Sequence, residues 1–379
     1  MQGAFPSQKI KELITGGAIV NANITNVQPA SLDLTISEEI YRVDALFLPR
    51  VGETVRHAME KVNPLKFNHD NVFEVGVPYL VRLNEVLALP SDVYAYMNPK
   101  STTGRNDVKV SVIADGISRF DSAGISGYRG ELWAFIEPKS FRIRLAPNEA
   151  LIQIRFFNSD TRIREKDLPL FYESEKILYN SEGKEIPYDK LKISDRDGGL
   201  ILTVDLDSDM IGWCCQGSRN VLDFSKRNFY NPNDFFEPLK RPSKGMLFLR
   251  RGSFYIFYTK QYVRVPAGFT CEMAPVDIRN GEYRSHYAGY IDPGWGWGEN
   301  GEILGRPLVL EVRPFDDNIL LYDNQPVCKL IFERMLEKPE MLYGEKAQSN
   351  YFSQQGPVLS KHFKRSNSYD ISRESFSAG

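Results

Sequence analysis

Short apolar runs with period-two alternation recur along most of this chain, separated by Pro, Gly and Asn turns. PYLVRLNEVLALP, VYAYMNP, ELWAFIEP and ALIQIRFF stand in the first half; SFYIFYTKQYVRVP, PLVLEVRPF and VCKLIFERM stand in the second. Strands of that length and spacing predict a mainly β fold, a sandwich or barrel with few short helices. The clear helix is the opening PSQKIKELITGG. Pro6 and Ser7 suit its start, Ile10, Leu13 and Ile14 form an apolar stripe, and Gly16–Gly17 ends it. Residues from about 158 to 199 read as polar and irregular. The tail after Lys364, RSNSYDISRESFSAG, has the composition of a disordered segment.

A shift of 176 residues lays the second half on the first. It carries Pro90 onto Pro266, Pro99 onto Pro275, Leu132 onto Leu308 and Phe156 onto Phe332. Chance alignment of prolines is the competing account, but the apolar alternation coincides as well. The expected organisation is therefore a first copy over 1–160, a connection over 161–199, a second copy over 200–364 and a disordered tail over 365–379. A length of 379 residues suits two domains.

Charge narrows the choice of partner. The chain carries 47 Lys and Arg against 49 Asp and Glu, net −2, so no global basic field would hold a nucleic acid. A small anion needs only a local cluster of donors. The four cysteines, Cys214, Cys215, Cys271 and Cys328, have no regular spacing and read as reduced thiols, Cys271 and Cys328 within strand patterns as core residues. No apolar run is long enough for a membrane span, and the N-terminus has no apolar leader, so a cytoplasmic protein is expected.

The sharpest local signal is NPKSTTGR, Asn98 to Arg105. Lys100, three consecutive hydroxyls, Gly104 and Arg105 can donate to phosphate oxygens. On composition alone a polar surface turn fits equally well. The segment resembles the phosphate-binding motif of the dCTP deaminases, members of the dCTP deaminase/dUTPase superfamily. Other stretches resemble the same family in the same order. VQPASLDL contains Asp33, which in the family closes a turn near the phosphates; AGYIDPGW resembles the nucleoside hairpin; PLVLEV resembles the strand with the catalytic glutamate; and SNYFSQQGPVLSKHF resembles the C-terminal lid. The whole looks like the long, duplicated bacterial form, two tandem dUTPase-like distorted, jelly-roll-like β-barrels.

The two copies depart from the family pattern in complementary ways. The shift that superposes the repeats puts Phe135 where the second copy has Glu311, and Val276 and Asp277 where the first has Lys100 and Ser101. An aspartate there would repel a triphosphate. The cradle of copy one is therefore expected to face the hairpin and glutamate of copy two, with the reciprocal pocket inactive.

The resemblance implies hydrolytic deamination of dCTP to dUTP and ammonia, supplying dUTP for thymidine nucleotide synthesis. It implies a homotrimer, with dTTP as an inhibitor in relatives. Zinc chemistry does not fit, since the chain has no H-x-E and no C-x-x-C, and His57, His69, His286 and His362 lack ligand spacing. Magnesium would arrive on the triphosphate rather than on protein ligands. Glu311 is assigned as general base and acid, with Arg105 orienting it or the water. Burial raises such a carboxylate's pKa and a nearby arginine lowers it.

Lys100, Ser101, Thr102 and Gly104 would hold phosphates, Asp292 the deoxyribose 3′-OH, and the main chain of Val309 and Leu310 the pyrimidine edge. Tyr343, Asn350 and Gln354 would close over the phosphates. Asn350 stands where many relatives have Lys, with Lys346 a substitute, and Tyr290 stands where they have Arg. Trp295 and Trp297 fit a capping turn as well as a site. A dUTPase or dUMP-forming bifunctional enzyme is the alternative within the superfamily; a catalytically inactive deoxynucleotide sensor is the alternative outside enzymology.

Overall fold

The computed structural model describes residues 2–195, 197–277, 283–284, 289–344 and 349–365. The fold is mainly β. The helix expected at the N-terminus runs Ser7–Thr15, buries Ile10 and Leu13 and is capped by Gly16.

The first copy is one eight-stranded antiparallel sheet. Its main path runs Tyr94–Pro99, Ala150–Phe157, Leu32–Arg42, Tyr79–Ala88, Arg129–Pro138 and Val108–Ala114. Leu32–Arg42 makes it continuous, pairing with Ala150–Phe157 at one end and Tyr79–Ala88 at the other. In the second copy two sheets take these places. One contains Met210–Cys215, Tyr255–Val263 and Arg306–Pro314; the other contains Leu200–Thr203, Pro326–Arg334 and Phe269–Pro275.

Strand register shows that the repeat is structural. Leu80 pairs with Phe135, and Ile256 pairs with Glu311, 176 residues on for both partners. Tyr94 opposite Phe157 recurs as Thr270 opposite Glu333. The register break between Arg82 and Val86 recurs between Tyr258 and Tyr262. Because a one-residue slip would turn every side chain to the opposite face, agreement across both pairs also fixes which residues face inward.

That alternation decides where the site forms. Leu308, Leu310 and Val312 enter the second copy's core, as Leu132, Ala134 and Ile136 enter the first. The intervening residues face the other way. In copy one these are Trp133 and Phe135, and the chain seals them itself, with Val43, Val55 and Met59 packing over them. Phe47 meets Phe135 edge-on at 5.3 Å. In copy two the corresponding Val309 joins the core cluster of the first copy, and Glu311 faces the first copy as well.

Segments from each copy cross the boundary. Leu222–Asp223 adds a short parallel strand beside Ile143–Arg144. Ala4 bridges both Phe157 and Met335. The stretch 161–199 differs from the irregular connection expected. Leu168–Glu175 is a helix whose Leu168, Phe171 and Tyr172, at helical spacing, pack into the second core, and Leu178–Tyr179 pairs with Tyr262 and Val263. A few apolar residues spaced along a polar stretch sufficed to anchor it. Cys271 and Cys328 are buried, and all four cysteines are free thiols. No helix among the described residues is long and apolar enough to cross a membrane. Lys346, His286 and residues 366–379 lie outside the described residues.

Candidate active site

A cleft of about 490 Å³ opens between the copies, and its walls come from both. Lys100, Ser101, Thr102 and Arg105 line it from the first; Asp292, Val309 and Glu311 line it from the second, and Tyr343, Asn350 and Gln354 from the lid. The two incomplete halves of the repeat therefore meet inside one chain.

Strand Tyr94–Pro99 delivers the cradle. Its last register pair, Pro99 with Ile152, holds the strand end, and the chain turns through Ser101–Gly104. The three hydroxyls do different work. Thr103 donates to the Leu151 carbonyl at 2.9 Å, Thr102 shares a 2.9 Å bond with the Tyr351 hydroxyl, and Ser101 lines the cleft. Lys100 is ion-paired with Asp33, whose Oδ1 is buried and has no hydrogen-bond partner.

Gly104 is where the copies come closest. A Cβ there would lie 2.3 Å from Glu311 Oε2 and 2.6 Å from its Cδ, closer than real side chains approach. The carboxylate of Glu311 lies against the backbone of the cradle, and only glycine leaves room for it. Glu311 is 2% exposed.

Arg105 is 4% exposed and shares this cleft. Burial pushes its guanidinium below its ordinary value, while Tyr351 and Glu311 oppose the shift. The guanidinium stacks on Tyr351 at 3.8 Å, donates to the Val358 carbonyl and donates to Gln354 Oε1, both at 2.8 Å. Its Nε is buried without a partner. Gln354, expected over the phosphates, thus has its carboxamide engaged: Oε1 accepts from Arg105 and Nε2 donates to the Pro307 carbonyl at 2.7 Å. In this arrangement it joins arginine to the glutamate strand.

The lid is anchored from beneath. Ser360 donates to Asn106 at 2.7 Å, and Asn106 reaches His362 Nδ1 at 3.0 Å. Burial pushes His362 down to about 3, so the imidazole is neutral at ordinary pH. Trp213 donates to the Pro357 carbonyl at 2.7 Å. Tyr343, its hydroxyl pKa pushed up by burial, packs on Trp295 at 5.3 Å and accepts from Tyr351 N at 3.3 Å. Trp297 instead lies 3.9 Å from Arg264, away from the cleft.

Asp292 is half-buried, and its Oδ1 accepts from the Ala30 N–H at 3.2 Å. Burial pushes its carboxyl up to about 7 against that bond, with Asp33 adding to the rise and Lys100 opposing it. Leu310 turns its side chain into the second core. At Val309 and Leu310 one strand edge pairs with Tyr258 and Phe257, while on the other edge, among the described residues, pairing begins only at Arg313.

Two family models divide the chain. Residues 1–160 match the N-terminal domain of 2′-deoxycytidine 5′-triphosphate deaminase, and residues 171–363 match its C-terminal domain. The chain belongs to the dCTP deaminase family. It is 31% identical over 136 residues to a dUMP-forming dCTP deaminase of Dictyoglomus turgidum, a match covering 35% of this chain and 64% of that one, just under two thirds of its length. It is 28% identical over 150 residues to a dUMP-forming dCTP deaminase of Methanobrevibacter smithii, covering 37% and 73%. The crystal structure of 2′-deoxycytidine 5′-triphosphate deaminase from Agrobacterium tumefaciens superposes with a TM-score of 0.81 at 33% identity, covering 89% of this chain and 97% of that one.

For a deaminase-family chain, the Gly104–Glu311 contact makes a sharp prediction. Gly104→Ala introduces no left-handed strain, because the backbone there is helical. It forces Glu311 to move, so dCTP turnover is expected to fall about a hundredfold with little change in melting temperature. Steady-state rates and a melt check this; unchanged turnover would show that the position of Glu311 does not matter.

Sequence reasoning missed several cleft residues. Tyr351 lies within the lid segment, where its one sequence signal is an aromatic beside Asn350. Arg227 and Lys361 also line the cleft, from segments whose meeting no local pattern announces.

Proposed function

We propose that this chain hydrolyses dCTP at C4 of the base, releasing ammonia and leaving dUTP. One observation carries the proposal: the carboxylate of Glu311, from the copy without a cradle, lies against Gly104 of the cradle from the copy without a glutamate. The nucleotide enters as its magnesium complex. Lys100, Ser101 and Thr102 receive the phosphates, Asp292 the 3′-OH, and the open edge of Val309 and Leu310 the pyrimidine. Tyr343 and Asn350 close over the bound nucleotide, and Gln354 holds Arg105.

Water adds to C4 as Glu311 takes its proton. Glu311 hands that proton to ring N3; the proton left on the C4 hydroxyl then passes through Glu311 to the amino group, and the tetrahedral carbon expels ammonia as the carbonyl forms. Dry surroundings and a fixed carboxylate favour this over reaction in open water. Arg105 supports the step through its fixed charge beside Glu311.

A second reading follows from the relatives, both named dUMP-forming. It requires a second water directed at the α-phosphate, and Asp292 is the half-buried cleft carboxylate on hand. Incubation with dCTP, with ammonia and pyrophosphate measured together, decides between them. Ammonia with dUTP supports the proposal; matched ammonia and pyrophosphate support the dUMP-forming reading. Neither product, with nucleotide bound, supports a sensor.

A further inference from the structure

We propose that Arg227 and Lys361 grip the terminal phosphates of the nucleotide, restoring positive charge that the lid lacks at Asn350. The inference rests on the cleft being a nucleoside triphosphate site. Both residues line that cleft together with Lys100 and Ser101. They reach it from distant parts of the chain. Arg227 lies in the segment that crosses to the first copy beside Ile143–Arg144, and Lys361 lies at the end of the lid.

The two segments are joined by main-chain bonds. Asn228 N–H donates to the Lys361 carbonyl at 2.9 Å, Phe229 N–H donates to that of His362 at 2.9 Å, and Lys364 N–H donates to that of Tyr230 at 2.8 Å. Lys361 N–H meets the Tyr351 hydroxyl at 3.4 Å, and that hydroxyl is bonded to Thr102 of the cradle. Lys361 is therefore tied through one tyrosine to the hydroxyl assigned to phosphate. Among the described residues neither Arg227 nor Lys361 forms an ion pair, whereas Lys100 is paired with Asp33. Two cations without a carboxylate partner, at the cradle end of a cleft, form a receptor for multiple negative charge.

Two carboxyls face this group, Glu149 and the Asp33 that is paired with Lys100. Burial pushes Glu149 up while Lys361, Arg227 and Lys100 pull it down, and the net displacement is upward. Lys361 is displaced downward, by burial first and then by Arg227. Burial sets both directions; beside it, the repulsion between Arg227 and Lys361 disfavours charge on the lysine, and a bound polyanion would offset that repulsion.

The test compares ligands by phosphate number. Arg227→Gln, Lys361→Gln and the double variant are assayed with dCTP, and dCTP and dCMP binding is measured by calorimetry on the Glu311→Gln background. Lys364→Gln, a neighbouring exposed cation outside the cleft, is the control. Each single change is expected to raise KM for dCTP about tenfold, the worth of one charge-assisted bond, with kcat held. The double variant is expected to lose most of the margin by which dCTP binds more tightly than dCMP. Unchanged KM in the double variant, or equal losses for dCTP and dCMP, overturns the proposal while leaving the deaminase reading intact. A parent chain that neither binds dCTP nor releases ammonia from it removes that reading and this inference together.

Discussion

A Glu311→Gln chain is expected to bind dCTP as the parent does and to release ammonia about a thousandfold more slowly or worse. The separation of the two effects follows from the architecture. On the proposed reading, phosphate donors come from the first copy and from second-copy segments that cross to it, while the proton-carrying group stands on the second copy's strand Arg306–Pro314. Glutamine has nearly the shape of glutamate, so the contact with Gly104 survives. What disappears is the capacity to take a proton from water and hand it on. Ammonia release under single-turnover conditions, with dCTP affinity from calorimetry, measures both quantities. A variant with rate and affinity like the parent's would remove Glu311 from the chemistry. A parent and variant equally inert, both binding tightly, would point to the sensor. Because Phe135 occupies the equivalent place in the first copy, beneath Phe47, calorimetry should also find one nucleotide per chain.

Much of this was legible in the chain because strand pairing conserves register. A shift of 176 residues seen in prolines and apolar alternation is the same shift that carries Leu80–Phe135 onto Ile256–Glu311. The complementary losses were legible for the same reason: once register is fixed, Phe135 and Glu311 are comparable positions. What the sequence did not reveal depends on packing between elements remote in the chain. Gln354 reads as a phosphate ligand, yet its amide lies between Arg105 and the Pro307 carbonyl. The helix Leu168–Glu175 escaped notice because only Leu168, Phe171 and Tyr172 mark its apolar face within a polar stretch. Arg227 and Lys361 meet only because main-chain bonds join two segments more than a hundred residues apart.

The boundary between copies should also be the place where one substitution costs most stability. Arg313 lies two residues beyond Glu311 on the same strand face, and its guanidinium is ion-paired with Asp107 at the end of the cradle turn. The side chain of Asp107 is fully buried, and that of Arg313 is 11% exposed. Arg313 also donates to Ser140 at 3.0 Å, and Lys139 N–H donates to the Asp107 carbonyl at 2.9 Å. Arg313→Met keeps much of the side-chain volume but leaves a buried carboxylate without its counter-charge, a loss of about 3–5 kcal/mol. The melting temperature is expected to fall by roughly several degrees. Adding Asp107→Asn removes the stranded charge and should recover part of the loss, because a buried pair replaced as a unit costs less than one broken. Asparagine is the appropriate partner change, since Asp107 has φ +53°, a conformation asparagine tolerates. Denaturant melts of the two single variants and the double close the cycle. Additive losses would mean that the residues do not act as a pair. A recovered double variant that still turns dCTP over slowly would show a second role for the pair: holding the Glu311 strand at the distance from Gly104 that the chemistry requires.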